Sequence, residues 1–340
     1  MRFGLLLLSA QFPGASHGAV LDATVAAAVA AEEAGFDDVW VAEHHFMSYG
    51  VCPSALTLAG YLLGATRRIT VGTAVTVLST QHPVAVAEQA LLLDQLSGGR
   101  FRLGVGRGGP WIDLLVFGTG PDRHATGFGE SLDLLLAALG GGPVRGEGPL
   151  FTFPEVAVVP RPRTRPRPDV VVAATTAETV ELAARRGLPL LLGMHADDAE
   201  KAAMLTGWRR TAGPGEPERG HISVGVAHVA DTDAEADAVL RERLPRWLGP
   251  GLAGHRRADG AAHRTRDPHA YAARLCDIHP VGSPRRCRER LARTIAATGV
   301  DHVVLMVEGT GEPDRTRETI HRLGAEVLPR LRVGPPGGTP

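Results

Sequence analysis

The sequence predicts an α/β fold, a (β/α)8 TIM barrel with insertions, on three observations. Short apolar runs of strand character alternate with longer helical stretches. The alternation yields eight strands, the number that closes a parallel sheet into a barrel. The 340 residues would also allow two domains of about 150 residues, yet single barrels of about 250 residues plus insertions are common. An open doubly wound sheet is the alternative architecture.

In chain order, strands are expected at residues 3–8, 38–42, 69–77, 101–105, 170–173, 188–192, 222–229 and 302–307. The stretch 19–34 is nearly all Ala and Val and stops at Gly35, a natural helix C-cap. A second helix is read at 54–63. In the third, at 83–96, Glu88, Leu91, Leu92 and Leu96 follow Pro83 and end at Gly98-Gly99. Two stretches break the rhythm. Residues 140–168 are rich in Gly, Pro and Arg, with Arg161, Arg163, Arg165 and Arg167 among prolines around a short apolar piece at 156–159, and read as a solvated excursion with a small hairpin. Residues 249–267 show no apolar period; after strand seven they lie on the active-site side of a barrel, where a lid and an inert insertion are both compatible. The expectation is one barrel domain over residues 1–334, with insertions near 142–168 and 249–283, and a flexible tail at 335–340.

Composition excludes several function classes. Thirty-six Lys and Arg against 37 Asp and Glu, with 44% hydrophobic residues, describe a soluble globular protein. Near-neutral charge argues against a dedicated nucleic-acid binder. No apolar run approaches the roughly 18 residues that span a bilayer, and Met1-Arg2-Phe3 leads to Gln11 and Pro13 without a signal-peptide core, so a cytoplasmic protein is expected. The three cysteines, Cys52, Cys276 and Cys287, form no C-x-x-C pair, against both a disulfide framework and a cysteine zinc site. Lys201 is the only lysine and asparagine is absent, a coding bias of a GC-rich source.

Several motifs carry chemistry. The run from Gly104 through Gly106 and Arg107 to Gly109 matches G-x-G-x-x-G, but Pro110 and Trp111 follow where a dinucleotide fold opens a helix, so the match is weak. Arg107 matters more, because a guanidinium at the C-terminal end of a barrel strand can clamp a phosphate by two hydrogen bonds. Glu43-His44-His45 closes the second strand. Neighbouring histidines on extended chain point to opposite sides, which suits one acid/base imidazole at the barrel mouth better than a metal pair; one buried structural His is the alternative. His195, Asp197 and Asp198 are the remaining metal-type cluster, and with no ligand pair on strand one no metal is expected. Thr175, Thr176 and Thr179 place hydroxyls where a helix begins, an anion site, with plain N-capping by Thr176 as the alternative. Arg107 and these threonines come from adjacent strands and together suggest a phosphate clamp.

Read in order, residues 40–46, 71–75, His82-Pro83, Ala87-Glu88, 92–104, Val116-Phe117-Gly118, 171–189, 278–284 and 297–329 resemble the bacterial luciferase family, closest to its alpha subunit. The resemblance covers nearly the whole chain and is weakest across 142–168 and 213–277. It implies a barrel that takes reduced FMN (FMNH2) from a separate NAD(P)H flavin reductase, forms a flavin C4a-hydroperoxide with O2, and oxygenates an organic substrate of secondary metabolism. It further implies a two-component system and a homodimer built through the second and third helices. His44 matches the catalytic histidine, expected to titrate near pH 7, and Asp113 an acid near the flavin. Arg107, Thr176 and Thr179 match phosphate-holding positions; Ala174 and Thr175 adjoin them, Thr175 replacing a glutamate. Ala74-Val75 matches a cis non-proline bond under the flavin ring. Gly106 replaces a reactive cysteine, and Met194 an aromatic residue against the ring. F420-dependent hydride transfer and a non-catalytic flavin-binding partner subunit are the alternatives.

Overall fold

The computed structural model describes residues 1–213, 220–263 and 265–332; the tail expected at 335–340 lies outside the described residues. Eight parallel strands form the frame: β1 (Arg2–Leu7), β2 (Asp38–Val41), β3 (Thr70–Thr73), β4 (Phe101–Gly106), β5 (Val170–Ala174), β6 (Leu190–Leu192), β7 (Ile222–Val226) and β8 (His302–Met306). Each pairs with the next, and β8 returns to β1 in a register running from Arg2↔His302 to Leu6↔Met306. The sheet is therefore a closed barrel, without the free edges of the open alternative.

Helices pack outside: α1 (His17–Glu33), α2 (Ala55–Ala65), α3 (Pro83–Ser97), α4 (Phe128–Leu139), α5 (Ala177–Ala184), α6 (Asp198–Ala212), α7 (Asp233–Ala253), α8 (Pro268–Ile278), α9 (Pro284–Thr298) and α10 (Pro313–Arg322). Their starts follow the expected chemistry. Ser16, Ser54, Thr176, Asp197 and Thr232 each accept a first-turn N–H, and Pro83 opens α3. The core has two layers. Ala27, Ala28 and Ala31 of α1, Leu62 of α2 and Leu91 of α3 bury against the outside of the sheet, while Trp40, Val224, Val304 and Met306 fill the inside. Gly72 makes room for the Trp40 ring, since a Cβ there would stand 2.4 Å from it. Burying each large apolar side chain stabilises the barrel by about 1.5–3 kcal/mol.

Polar groups anchor the lower end. Asp38, fully buried, accepts from Trp40 Nε1 (2.7 Å), His302 Nε2 (2.9 Å) and Arg2 Nη2 (2.9 Å). Lys201 of α6 is also buried, and its Nζ donates to Ser223 Oγ and the Val224 carbonyl of β7. Burial pushes that amine down to about 8.

Four expectations change. The strand read at 69–77 breaks after Thr73, at the Ala74-Val75 bond, which is cis. The one read at 222–229 leaves the barrel after Val226, and His228–Val229 pairs instead with Val281–Gly282. The excursion does contain a hairpin, Pro143–Glu147 against Thr152–Ala157, but its Arg/Pro stretch is held: buried Asp94 of α3 accepts from Arg163 N, Thr164 N and Thr164 Oγ1. The break expected from 249 begins later, because α7 runs through Pro245 and Pro250 to Ala253. Buried Leu244, Trp247 and Leu248 hold it in place.

Candidate active site

The C-terminal ends of the strands surround a cavity of about 340 Å³, half-open to solvent. Leu6 of β1 and Leu8 just beyond it line one side, and the chain after β2 brings Glu43, His44 and His45. Ala74 and Val75 form the wall beyond β3, and Gly193, Met194 and His195 the wall beyond β6. Glycine lets these walls approach. A Cβ at Gly104 would stand 1.9 Å from the Thr73 carbonyl oxygen, and one at Gly106 2.7 Å from Val75 Cγ2. The glycine-rich run thus serves close approach of the neighbouring chain. Met194 is fixed from behind, its carbonyl accepting from His279 Nε2 at 2.6 Å.

His44 lies in this cavity, its backbone N–H bonded to the Cys52 carbonyl at 2.9 Å and its ring 5.1 Å from that of Tyr49. Its Nδ1 is buried and without a hydrogen-bond partner among the described residues. Burial, with His255 and His45 nearby, pushes the imidazole down to about 3. The expectation of titration near pH 7 is thereby corrected: withdrawal from water keeps this ring neutral. His45 lines the same cavity, its Nε2 3.5 Å from Glu43 Oε1, so the two neighbouring histidines are not divided between the cavity and the opposite side as the extended chain led us to expect. Glu43, quoted in the motif but given no role there, accepts from the N–H groups of Ala55 and Val77 and from Gln81 Nε2, tying three segments of the mouth together. Asp113 also lines the cavity; it is buried, accepts from Leu114 N at 2.9 Å, and its carboxyl is raised by burial.

The anion-type residues meet beside the cavity. Arg107, following β4, reaches the first turn of α5, where Glu178 Oε2 lies 3.6 Å from Arg107 Nη1. Thr176 caps α5 by accepting from Thr179 N at 3.3 Å, and the two hydroxyls stand 3.1 Å apart. Ala174 is buried at the end of β5. Thr175 and Thr176 are exposed and line a groove between α5 and α6, so their side chains do not share the His44 cavity. Asp197 and Asp198 are likewise committed elsewhere, to the α6 capping box and to Arg290.

A strap crosses the mouth. Past the end of α7, Arg256 O accepts from Ile112 N at 2.8 Å, and Ala258 N donates to Pro110 O at 2.9 Å, flanking a Trp111↔Arg257 bridge. It sets His255 against Trp111 (4.7 Å) and Tyr49 (5.9 Å). Residues 1–302 match the family model described as luciferase-like monooxygenase.

The chain belongs to the luciferase-like monooxygenase family. It is similar to the alkanal monooxygenase alpha chain of Photobacterium leiognathi, 30% identical over 98% of this chain and 99% of that one. Among solved structures, monooxygenase RslO1 from Streptomyces bottropensis shares the fold with a TM-score of 0.84 at 23% identity, covering 97% of this chain and 100% of that one. The oxygenating constituent of 3,6-diketocamphane monooxygenase of Pseudomonas putida, solved with FMN, gives 0.78 at 20% identity, covering 97% and 98%. An F420-dependent secondary alcohol dehydrogenase gives 0.72 at 19%, covering 96% and 98%. This chain is thus by family a flavin-dependent monooxygenase.

The residues of this luciferase-like monooxygenase fit a flavin. The cavity offers a wall of Ala74 and Val75, with Gly106 packed against Val75 rather than lining the cavity, together with Met194 and an orphaned buried imidazole nitrogen. A guanidinium at a helix N-terminus lies next to it. Sequence reasoning missed Tyr49, Trp111 and His255, which close the mouth, and Glu308, a carboxyl behind β1. Glu308 accepts from Leu8 N and Ala10 N and is pushed up to about 7 by burial. No local pattern marks any of them, because the strap meets 110–112 only in the folded chain. No helix among the described residues is long and apolar enough to cross a membrane.

Proposed function

We propose that this protein is the oxygenase of a two-component system in the cytoplasm, a single barrel domain over residues 1–334. It binds FMNH2 from a separate NAD(P)H flavin reductase and uses O2 to oxygenate a small organic substrate, a secondary metabolite. The reading is carried by one observation: a neutral, buried His44 shares a single cavity with the Ala74-Val75 wall, beside the Arg107–α5 anion site. Bound flavin supplies the activation of oxygen. His44 accepts or returns a proton at the reacting centre, Asp113 faces it from the same cavity, the wall orients the ring, and the strap excludes water. Arg107, with Thr176 and Thr179 shaping the helix start, holds the phosphate. A homodimer through α2 and α3 fits the exposed Tyr61, Leu92 and Leu96 on those helices.

Hydride transfer with F420 is the second reading, favoured by the likeness to the F420-dependent alcohol dehydrogenase. Anaerobic titration with FMNH2 and with reduced F420, followed by mixing with isotopically labelled O2 and candidate substrates, separates the two. Tight FMNH2 binding and label in the product are expected. Preferential F420 binding with substrate turnover that consumes no oxygen would overturn the oxygenase.

A further inference from the structure

The Arg107 guanidinium already has an anionic neighbour from its own chain. Glu178 is the acidic residue in the first turn of α5, and its carboxylate stands 3.6 Å from Arg107 Nη1. That separation is beyond hydrogen-bond range, and the Glu178 side chain is 74% exposed against 23% for Arg107. The attraction is therefore a solvent-screened Coulombic one, which a better ligand displaces easily. The placement follows from the helix: an anion at its second position is favoured by the unsatisfied N–H groups and their dipole. A phosphate would draw on that same field and on the same guanidinium.

We propose that Glu178 is a built-in competitor for the flavin phosphate at Arg107, weakening the clamp so that flavin exchanges readily. This rests on the FMNH2 reading above. Arg107 and, near it, His124 and Asp113 lie on the cavity side, Glu178 is the carboxylate that faces Arg107, and Glu181, Glu200 and Arg210 line the groove with the uncharged Thr175 and Thr176. An incoming phosphate dianion meets a guanidinium that already faces a carboxylate, and that carboxylate repels it until it swings into solvent. Its high exposure leaves Glu178 free to do so. The benefit is kinetic: an oxygenase that receives its flavin from another protein needs the phosphate end to release.

The test is anaerobic titration of the full-length protein with FMNH2 and, separately, with reduced riboflavin, which lacks the phosphate. Glu178→Gln and Glu178→Ala are expected to bind FMNH2 about two- to tenfold more tightly than wild type, with slower dissociation. The gain should shrink in high salt, and riboflavin affinity should not change. Unchanged or weaker FMNH2 binding in both variants, or an equal gain for riboflavin, overturns the proposal. Arg107→Ala serves as the reference for the underlying reading. If it weakens FMNH2 relative to riboflavin while the Glu178 variants do nothing, only the competitor role falls. If it has no effect on that ratio, the phosphate is held elsewhere and the clamp falls with it.

Discussion

Gly106 in β4 and Val75 after β3 touch so closely that no side chain fits between them: a Cβ on Gly106 would stand 2.7 Å from Val75 Cγ2. The position that the resemblance reads as a replaced cysteine is here packed against the Val75 wall. Gly106→Cys should therefore not restore a functional thiol. We expect a loss of about 1–3 kcal/mol from overpacking, and weaker flavin binding as Val75 shifts. Thermal or urea denaturation with an FMN titration checks both. A stable variant with unchanged affinity would show that the wall yields.

His44→Ala should lower turnover by about 10²–10⁴-fold while leaving the fold and FMN affinity near wild type, as for loss of an acid/base group. Because burial holds the free-enzyme imidazole at about 3, kcat/KM should show no His44 inflection between pH 5 and 8. A limb near pH 6.5 that vanishes in His44→Ala would contradict the neutral assignment.

Stability should fall on mild acidification. His44 and His279 are pushed down to about 3 and His228 to about 4, each mainly by burial. Their folded values lie below the unfolded one, so the unfolded chain takes up protons first as pH drops below about 6.5. Their contribution is full above that pH and is lost toward pH 4–3, each at a limiting slope of about 1.4 kcal/mol per pH unit. Asp38, lowered by His302 and Arg2 against its own burial, adds a further loss below the ordinary aspartate range. Glu308 opposes them: its raised carboxyl favours the fold below about 4.5 and loses that contribution as pH rises toward 7. Urea midpoints at pH 7.5, 6, 5 and 4.5 should decline in order; a flat series would refute the buried neutral histidines.

Leu96→Asp on α3 should give a monomer. Leu96 is 75% exposed and neighbours exposed Leu92, a combination that costs little in the fold and favours burial between copies. Light scattering with size-exclusion chromatography distinguishes the outcomes, and a dimer unaffected by both Leu96→Asp and Tyr61→Asp would move the interface elsewhere.

The barrel was legible because each strand-helix repeat is written locally: apolar run, turn, cap, helix. Arg107 and His44 were legible as polar residues at strand ends. The rest depends on contacts far apart in sequence. The strap has no apolar period, and only its backbone bonds to Pro110 and Ile112 make it part of the mouth. The Arg/Pro excursion is exposed at Arg161, Arg163 and Arg165 as read, but its anchoring by Asp94 from 69 positions away was not visible in the sequence. That Thr175 and Thr176 line a groove between α5 and α6 and not the His44 cavity was likewise not visible in the sequence. Titration behaviour was the least accessible, since His44 has an ordinary side chain in a dry place.

The burial of Lys201 reaches beyond stability. It is the sole lysine of the chain, and the three cysteines are buried as well. Amine-directed esters, aldehyde supports and maleimides therefore meet no ready side chain on the folded surface. One cysteine introduced at an exposed position would become a unique thiol handle for a dye, a tether or an electrode, and one lysine would share amine reagents only with the α-amino group of Met1.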